Sequence, residues 1–158
     1  MVDASDFRRI MSHYPTGVCI VSAMVDDMPY GMVIGSFNSV SLDPPLVGFF
    51  PARRSQSWPK MEATGRFFIN ILGSDQDALC AQFAGAGAQR FDGVEYELSM
   101  LGSPRIAGVI AGIDCELHGT RDAGDHLLVL GRVHSMDLYR DADPMLFLKG
   151  EYGGFRGF

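Results

Sequence analysis

Short runs of apolar and β-branched residues, each cut off by glycine or proline, recur along the whole chain, and this pattern constrains the fold most. Gly17–Val25, Leu46–Phe50 and Phe67–Leu72 are such runs, with the length and composition of strands. Tyr30–Ser41, Val94–Leu98, Ile113–Thr120, His126–Leu138 and Met145–Leu148 are further strand candidates. With 19 glycines and 8 prolines in 158 residues, the chain has the punctuation for many turns and little room for a helix bundle. Asp26-Asp27-Met28-Pro29, Leu42-Asp43-Pro44-Pro45 and Asp122-Ala-Gly124-Asp125 are expected turns.

Helical signals are few. Phe7, Ile10, Met11 and Tyr14 share one face of a predicted helix over Asp3–His13, which Pro15 stops. Ser55–Ala63 and Ser74–Phe83 are short candidates, the second with Ser74 and Asp77 spaced as a capping box. Strands and helices do not alternate, which disfavours a doubly wound nucleotide fold. Roughly seven strands with two or three short peripheral helices suit a mostly β, closed or partly open antiparallel barrel. No repeat or linker interrupts the sequence, so residues 1–158 read as one domain. The tail from Gly150 is too glycine-rich to predict a regular element, yet Tyr152, Phe155 and Phe158 suggest packing on a surface or ligand.

The net charge of −6 argues against a nucleic-acid partner. Cys19, Cys80 and Cys115 form no CxxC pair and sit among apolar neighbours, as expected of free thiols in a reducing compartment. The N-terminus has no basic start followed by an apolar stretch, and no apolar run approaches the ~20 residues of a membrane span. A cytoplasmic protein without membrane contact is the expectation.

Several familiar motifs fail. Gly85-Ala-Gly87-Ala-Gln-Arg90 begins like a dinucleotide fingerprint but ends in arginine, and no strand leads into it. The four histidines form no metal-binding spacing, so no metal is expected. Ser57-Trp-Pro-Lys60 lacks the partner motifs of acylating enzymes.

What remains is a local charge anomaly and two polar segments. Arg53, Arg54, Lys60 and Arg66 face only Glu62 between Pro51 and Arg66. Around a helix start, with serines interleaved, such a segment suits a phosphate; a solvated basic face has the same composition. Gly35-Ser36-Phe37-Asn38-Ser39 puts small hydroxyl residues beside an aromatic, either to let a planar ligand approach the backbone or as a bulged edge strand. His126, beside the Gly124-Asp125 turn, either donates a hydrogen bond to a ligand or finishes a hairpin.

In order and spacing, Tyr14-Pro-Thr-Gly-Val-Cys-Ile-Val, the stretch Gly31–Leu46, Gly65-Arg-Phe-Phe-Ile-Asn-Ile-Leu, Arg90-Phe91, Gly124-Asp125-His126 and Gly150-Glu-Tyr-Gly resemble the flavin reductase family. The resemblance implies an FMN-binding split β-barrel of antiparallel Greek-key strands, dimeric, reducing FMN or FAD with NADH or NADPH. It implies that Ile34, Gly35, Ser36, Phe37, Asn38 and Ser39 line the flavin ring. Pro51, Ala52, Arg53, Arg54, Ser55, Ser57 and Trp58 would hold its phosphate, with Arg90 and Phe91 closing on it. Thr16, Gly17, His126, Tyr152 and Gly153 would meet the nicotinamide, with His126 as the catalytic positioning donor. A separate monooxygenase would receive the reduced flavin. A flavin-binding electron carrier inert to nicotinamides is the alternative.

Overall fold

The computed structural model describes residues 1–85 and 90–158, so most of the glycine-rich loop expected after Gly85 lies outside the described residues. In chain order the elements are α1 (Ala4–Met11), β1 (Thr16–Gly17), β2 (Cys19–Val25), β3 (Met28–Ile34), β4 (Asn38–Leu42), β5 (Pro45–Phe49) and α2 (Trp58–Glu62). Then come β6 (Arg66–Ile71), α3 (Asp77–Ala84), β7 (Tyr96–Leu98), β8 (Pro104–Ile106), β9 (Ala111–Ala123), β10 (His126–Leu138), β11 (Leu146–Leu148) and β12 (Glu151–Gly153).

Seven strands form one antiparallel sheet in the order β3-β2-β6-β9-β10-β5-β4. Its outermost strands, β3 and β4, are neighbours in sequence, joined only by Gly35, Ser36 and Phe37. Laid flat, edges six spacings apart would stand about 29 Å from each other. The four Cα steps from Ile34 to Asn38 reach about 15 Å at most. The sheet therefore rolls on itself, as the predicted barrel requires, and residues 35–37 cross its seam.

Inside the roll, Val21, Ala23, Phe49, Trp58, Phe67, Ile69 and Val129 make the main core. Phe49, Trp58 and Phe67 meet edge to face with centroids 5.2–6.1 Å apart. A second cluster under α3 holds Ile20, Leu72, Cys80, Phe83 and Val109. β2 serves both, Val21 and Ala23 facing one cluster and Ile20 the other, which is why it reads as a continuous apolar run.

Turn chemistry moves several predicted boundaries. Asp26 and Asp27 take φ of 48° and 63°, a two-residue hairpin turn, so Met28 and Pro29 join β3. Pro29 is tolerated because β3 is an edge strand. The Ser74–Asp77 capping box does not form: α3 starts later, and Gln76 Oε1 accepts from the Gly73 N–H instead. The tail corrects an expectation. Lys149 and Gly150 both have positive φ and turn the chain back, so Glu151–Gly153 pairs with β11 in a small sheet, β1-β11-β12.

A buried polar knot fastens the β7–β8 hairpin to the barrel wall. The Asn70 side chain, fully buried, donates from Nδ2 to the Ile20 carbonyl (3.0 Å) and to Ser22 Oγ (2.8 Å). Its Oδ1 accepts from the Ile106 N–H at 2.8 Å. Ser22 Oγ donates onward to the Pro104 carbonyl. Nearby, buried Asp114 accepts from Ser99 Oγ and the Leu101 N–H.

Candidate functional site

The loop after β5 is bolted to the tip of the β9–β10 hairpin. The Leu127 N–H donates to the Pro51 carbonyl and the Arg53 N–H to the Asp125 carbonyl, both at 3.0 Å, and Ala52 bridges His126. Arg53 Nε donates to the Gly124 carbonyl at 2.9 Å, and its guanidinium pairs with Asp122. Arg53 therefore braces the hairpin while its half-exposed side chain also lines the second cleft described below.

Two clefts open on either side of this loop, sharing Ala52 and Arg54. The first, of 710 Å³, is lined by Arg54, Ser55, Ser57 and Arg90 and runs on past Tyr30, Met32 and Lys60. Among the described residues no carboxylate lines it, although the chain carries a net charge of −6. α2 is shorter than predicted, five residues, and its Trp58 N–H is already taken by Ser55 Oγ at 3.1 Å. Side chains rather than a helix end therefore supply the donors here. Trp58 itself is 1% exposed and packs in the core, so it backs the cleft and does not line it.

Arg90 and Phe91 both dock on Gly31, which brings Arg90 to the first cleft and packs Phe91 behind it. Arg90 Nη1 donates to the Gly31 carbonyl at 2.9 Å and approaches Ser57 Oγ at 3.5 Å. Phe91 lies edge-on to Phe83 (4.9 Å) and Tyr96 (5.5 Å). A Cβ at Gly31 would meet Phe83 at 2.6 Å and Phe91 at 3.1 Å, so only glycine lets these rings settle there.

The second cleft, of 1300 Å³, has Ser36, Phe50, Arg53 and Arg54 on one side, Asp125 and His126 at the hairpin tip, and α1 with its preceding residues as the remaining wall. Ser36 Oγ accepts from the Phe50 N–H at 2.9 Å, tying the barrel seam to the end of β5. Of the other seam residues, Gly35, Asn38 and Ser39 are exposed, Ile34 is buried, and Phe37 packs against the core. β4 also carries a bulge between Ser39 and Ser41, so the segment is a bulged edge strand as well as a cleft wall.

His126 Nδ1 lies 2.8 Å from Asp125 Oδ1. A carboxylate can only accept, so Nδ1 carries the proton and Nε2 is left for a ligand. The hydrogen bond from His126, then its charge, hold the Asp125 carboxyl below its ordinary value, with Arg54 assisting. Asp125 therefore keeps the ring oriented as pH falls through the usual carboxylate range and releases it only below that range.

Thr16, Gly17, Tyr152 and Gly153 come together elsewhere. Thr16 and Tyr152 flank Phe147 across the small sheet, and Gly17 and Gly153 flank Leu146. None of the four lines the His126 cleft. A Cβ built at Gly35, the residue before Ser36 of the cleft wall, would lie 3.2 Å from Thr16 Oγ1.

Sequence reasoning missed Tyr30, Met32 and Phe50 as cleft residues and left Lys60 out of the phosphate set, although its charge was legible. It also missed that α1, whose apolar face it identified, walls a cleft. The cysteines stand apart from both clefts: burial pushes the Cys19 and Cys115 thiols up to about 12, so they stay protonated. Among the described residues no three His, Cys, Asp or Glu side chains converge as a metal site, and no helix is long and apolar enough to cross a membrane.

A family model described as a flavin reductase like domain matches residues 11–156. A flavin reductase of Pseudomonas putida is 48% identical over 155 residues, covering 98% of this chain and 91% of the relative. The FMN reductase (NADH) SmoA of Agrobacterium fabrum is 39% identical, covering 97% of this chain and 87% of that one. Among solved structures, nitrilotriacetate monooxygenase component B from Mycobacterium thermoresistibile superposes with a TM-score of 0.94 at 42% identity, covering 96% of this chain and 86% of that one.

Proposed function

The chain belongs to the flavin reductase like family, and on that premise we propose that it oxidises NADH or NADPH to reduce FMN or FAD, which a separate monooxygenase then consumes. The observation that carries this reading is the junction of the two clefts at Ala52 and Arg54, anion donors on one side and His126 on the other. A flavin phosphate fits the first cleft, where guanidinium and hydroxyl donors converge without an opposing carboxylate. The seam, with exposed Gly35 and half-buried Ser36, gives the ring a place to approach backbone. A bound flavin accepts hydride from a nicotinamide.

The protein's own part is to bind and orient. Arg54, Arg90, Ser55 and Ser57 hold the phosphate, while Arg53 holds the hairpin that carries His126. His126 offers Nε2 to the donor. Thr16, Gly17, Tyr152 and Gly153 meet the donor beyond the cleft, on the side where Thr16 Oγ1 faces Gly35. No protein nucleophile is needed.

Residues 1–158 act as one domain, and two copies pair. In support, α1 has no buried residue, Phe7, Ile10 and Met11 are exposed on it, and Tyr14 is exposed just after it; light scattering that gives a monomer would refute the pairing. Three free buried thiols suit a reducing cytoplasm.

The test mixes the protein with NADH or NADPH and added FMN or FAD and follows the nicotinamide absorbance. Flavin-dependent loss is expected; a yellow protein inert to both donors overturns the reading. His126→Ala should raise KM for the donor about fivefold, the scale of one lost hydrogen bond, while flavin Kd stays put. Unchanged turnover and donor affinity would remove His126 from the mechanism.

A further inference from the structure

The first cleft is larger than a phosphate and its ribityl chain require. Its 710 Å³ lies within the range of about 300–1,000 Å³ usual for sites that hold a whole small ligand. If the flavin ring occupies the neighbouring cleft, as the proposed function has it, only the tail of the flavin enters here. Past Ser57 the lining continues over Tyr30, Met32 and Lys60.

Tyr30 and Lys60 are arranged together. The Lys60 ammonium lies 5.2 Å from the centroid of the Tyr30 ring and 3.5 Å from its hydroxyl. The ammonium forms no ion pair among the described residues. The acid nearest in sequence, Glu62, is engaged by Thr120 Oγ1 at 2.6 Å. A single terminal phosphate is already served by Arg54, Arg90, Ser55 and Ser57. What remains is a third cation beside an aromatic ring, in a cleft that no carboxylate lines among the described residues.

We propose that Tyr30 and Lys60 form a subsite for an adenosine diphosphate group, so that the protein binds FAD in preference to FMN. Lys60 supplies charge for the second phosphate, and Tyr30 supplies a flat face for a purine. The same group ends a nicotinamide dinucleotide. FAD is the better source because this cleft joins the ring cleft through Ala52 and Arg54, as one continuous ligand needs.

The test is equilibrium titration without any nicotinamide, read by quenching of the single tryptophan, Trp58, behind the cleft. Wild type should bind FAD about tenfold more tightly than FMN, the scale of one base stacking on an aromatic ring, and ADP should displace FAD. Lys60→Gln and Tyr30→Leu should each remove most of that preference by weakening FAD and shifting FMN less than twofold. Lys60 is exposed, so its variant is expected to fold even if the Tyr30 variant does not. Equal wild-type affinity for FMN and FAD overturns the proposal, as does equal weakening of both flavins in the Lys60 variant. A change confined to the KM for NADH, measured with FMN as acceptor, overturns the FAD assignment and gives the subsite to the donor. Flavin-dependent NADH oxidation is a separate readout: its absence would end the reductase reading and leave a measured FAD preference standing.

Discussion

Asn70→Ala should destabilise the protein by about 3 kcal/mol, because it takes a partner from three buried polar groups and leaves the Ile106 N–H and the Ile20 carbonyl short at about 1–3 kcal/mol each, while Ser22 Oγ still donates to the Pro104 carbonyl. The groups are the Ile20 carbonyl, Ser22 Oγ and the Ile106 N–H, all of which meet this one amide. Asn70 has no exposed surface in the native fold. Against a total stability of about 5–15 kcal/mol, such a loss leaves a marginal protein. Urea unfolding followed by Trp58 fluorescence measures it, as a fall in the midpoint at constant slope. Flavin Kd, measured on the folded fraction, should not move, since neither β8 nor Asn70 lines either of the two clefts of the candidate site. A loss below about 1 kcal/mol would mean that the knot does not hold β8 to the wall.

Gly31→Val should act the other way round, on the site more than on the fold. Its Cβ would stand 2.6 Å from a Phe83 ring carbon and 3.1 Å from one of Phe91. The rings must retreat, and Arg90, next to Phe91, loses its hold on the Gly31 carbonyl. Overpacking costs about 1–3 kcal/mol of stability. Losing the charge-assisted contact to phosphate proposed for Arg90 should weaken flavin binding between about tenfold and a hundredfold. Arg90→Gln removes the charge without crowding the rings, so it should lower flavin affinity comparably and spare stability. Wild-type flavin affinity in the Gly31 variant would refute the docking role.

Much of the fold was legible because it rests on local signals. The apolar run of β2, the Gly124-Asp125 turn and the spacing of Phe7, Ile10 and Met11 each declare an element within a few residues. The basic stretch from Arg53 to Lys60 marked one cleft from charge alone. What was illegible depends on partners far along the chain. That the Arg53 guanidinium also meets Gly124 and Asp122 could not be read from its neighbours in sequence. Trp58 sits beside cleft serines in sequence, yet the helical turn points it at Phe49 and Phe67. β8 and β12 are three residues each, too short to show a period, and owe their existence to Asn70 and to the turn at Lys149. Tyr30 and Lys60 are thirty positions apart, and no local pattern links them.

The bolted loop has a consequence for how such a protein can diversify. The rungs between Pro51 and Leu127 and between Arg53 and Asp125 set a fixed gauge between the two clefts, and under the proposed function that is the gauge between a waiting donor and a gripped acceptor. Neither partner's outer pocket contributes to that gauge. Drift at Lys60 or along α1 can therefore retune which molecules are admitted while the separation across which charge must travel is inherited unchanged.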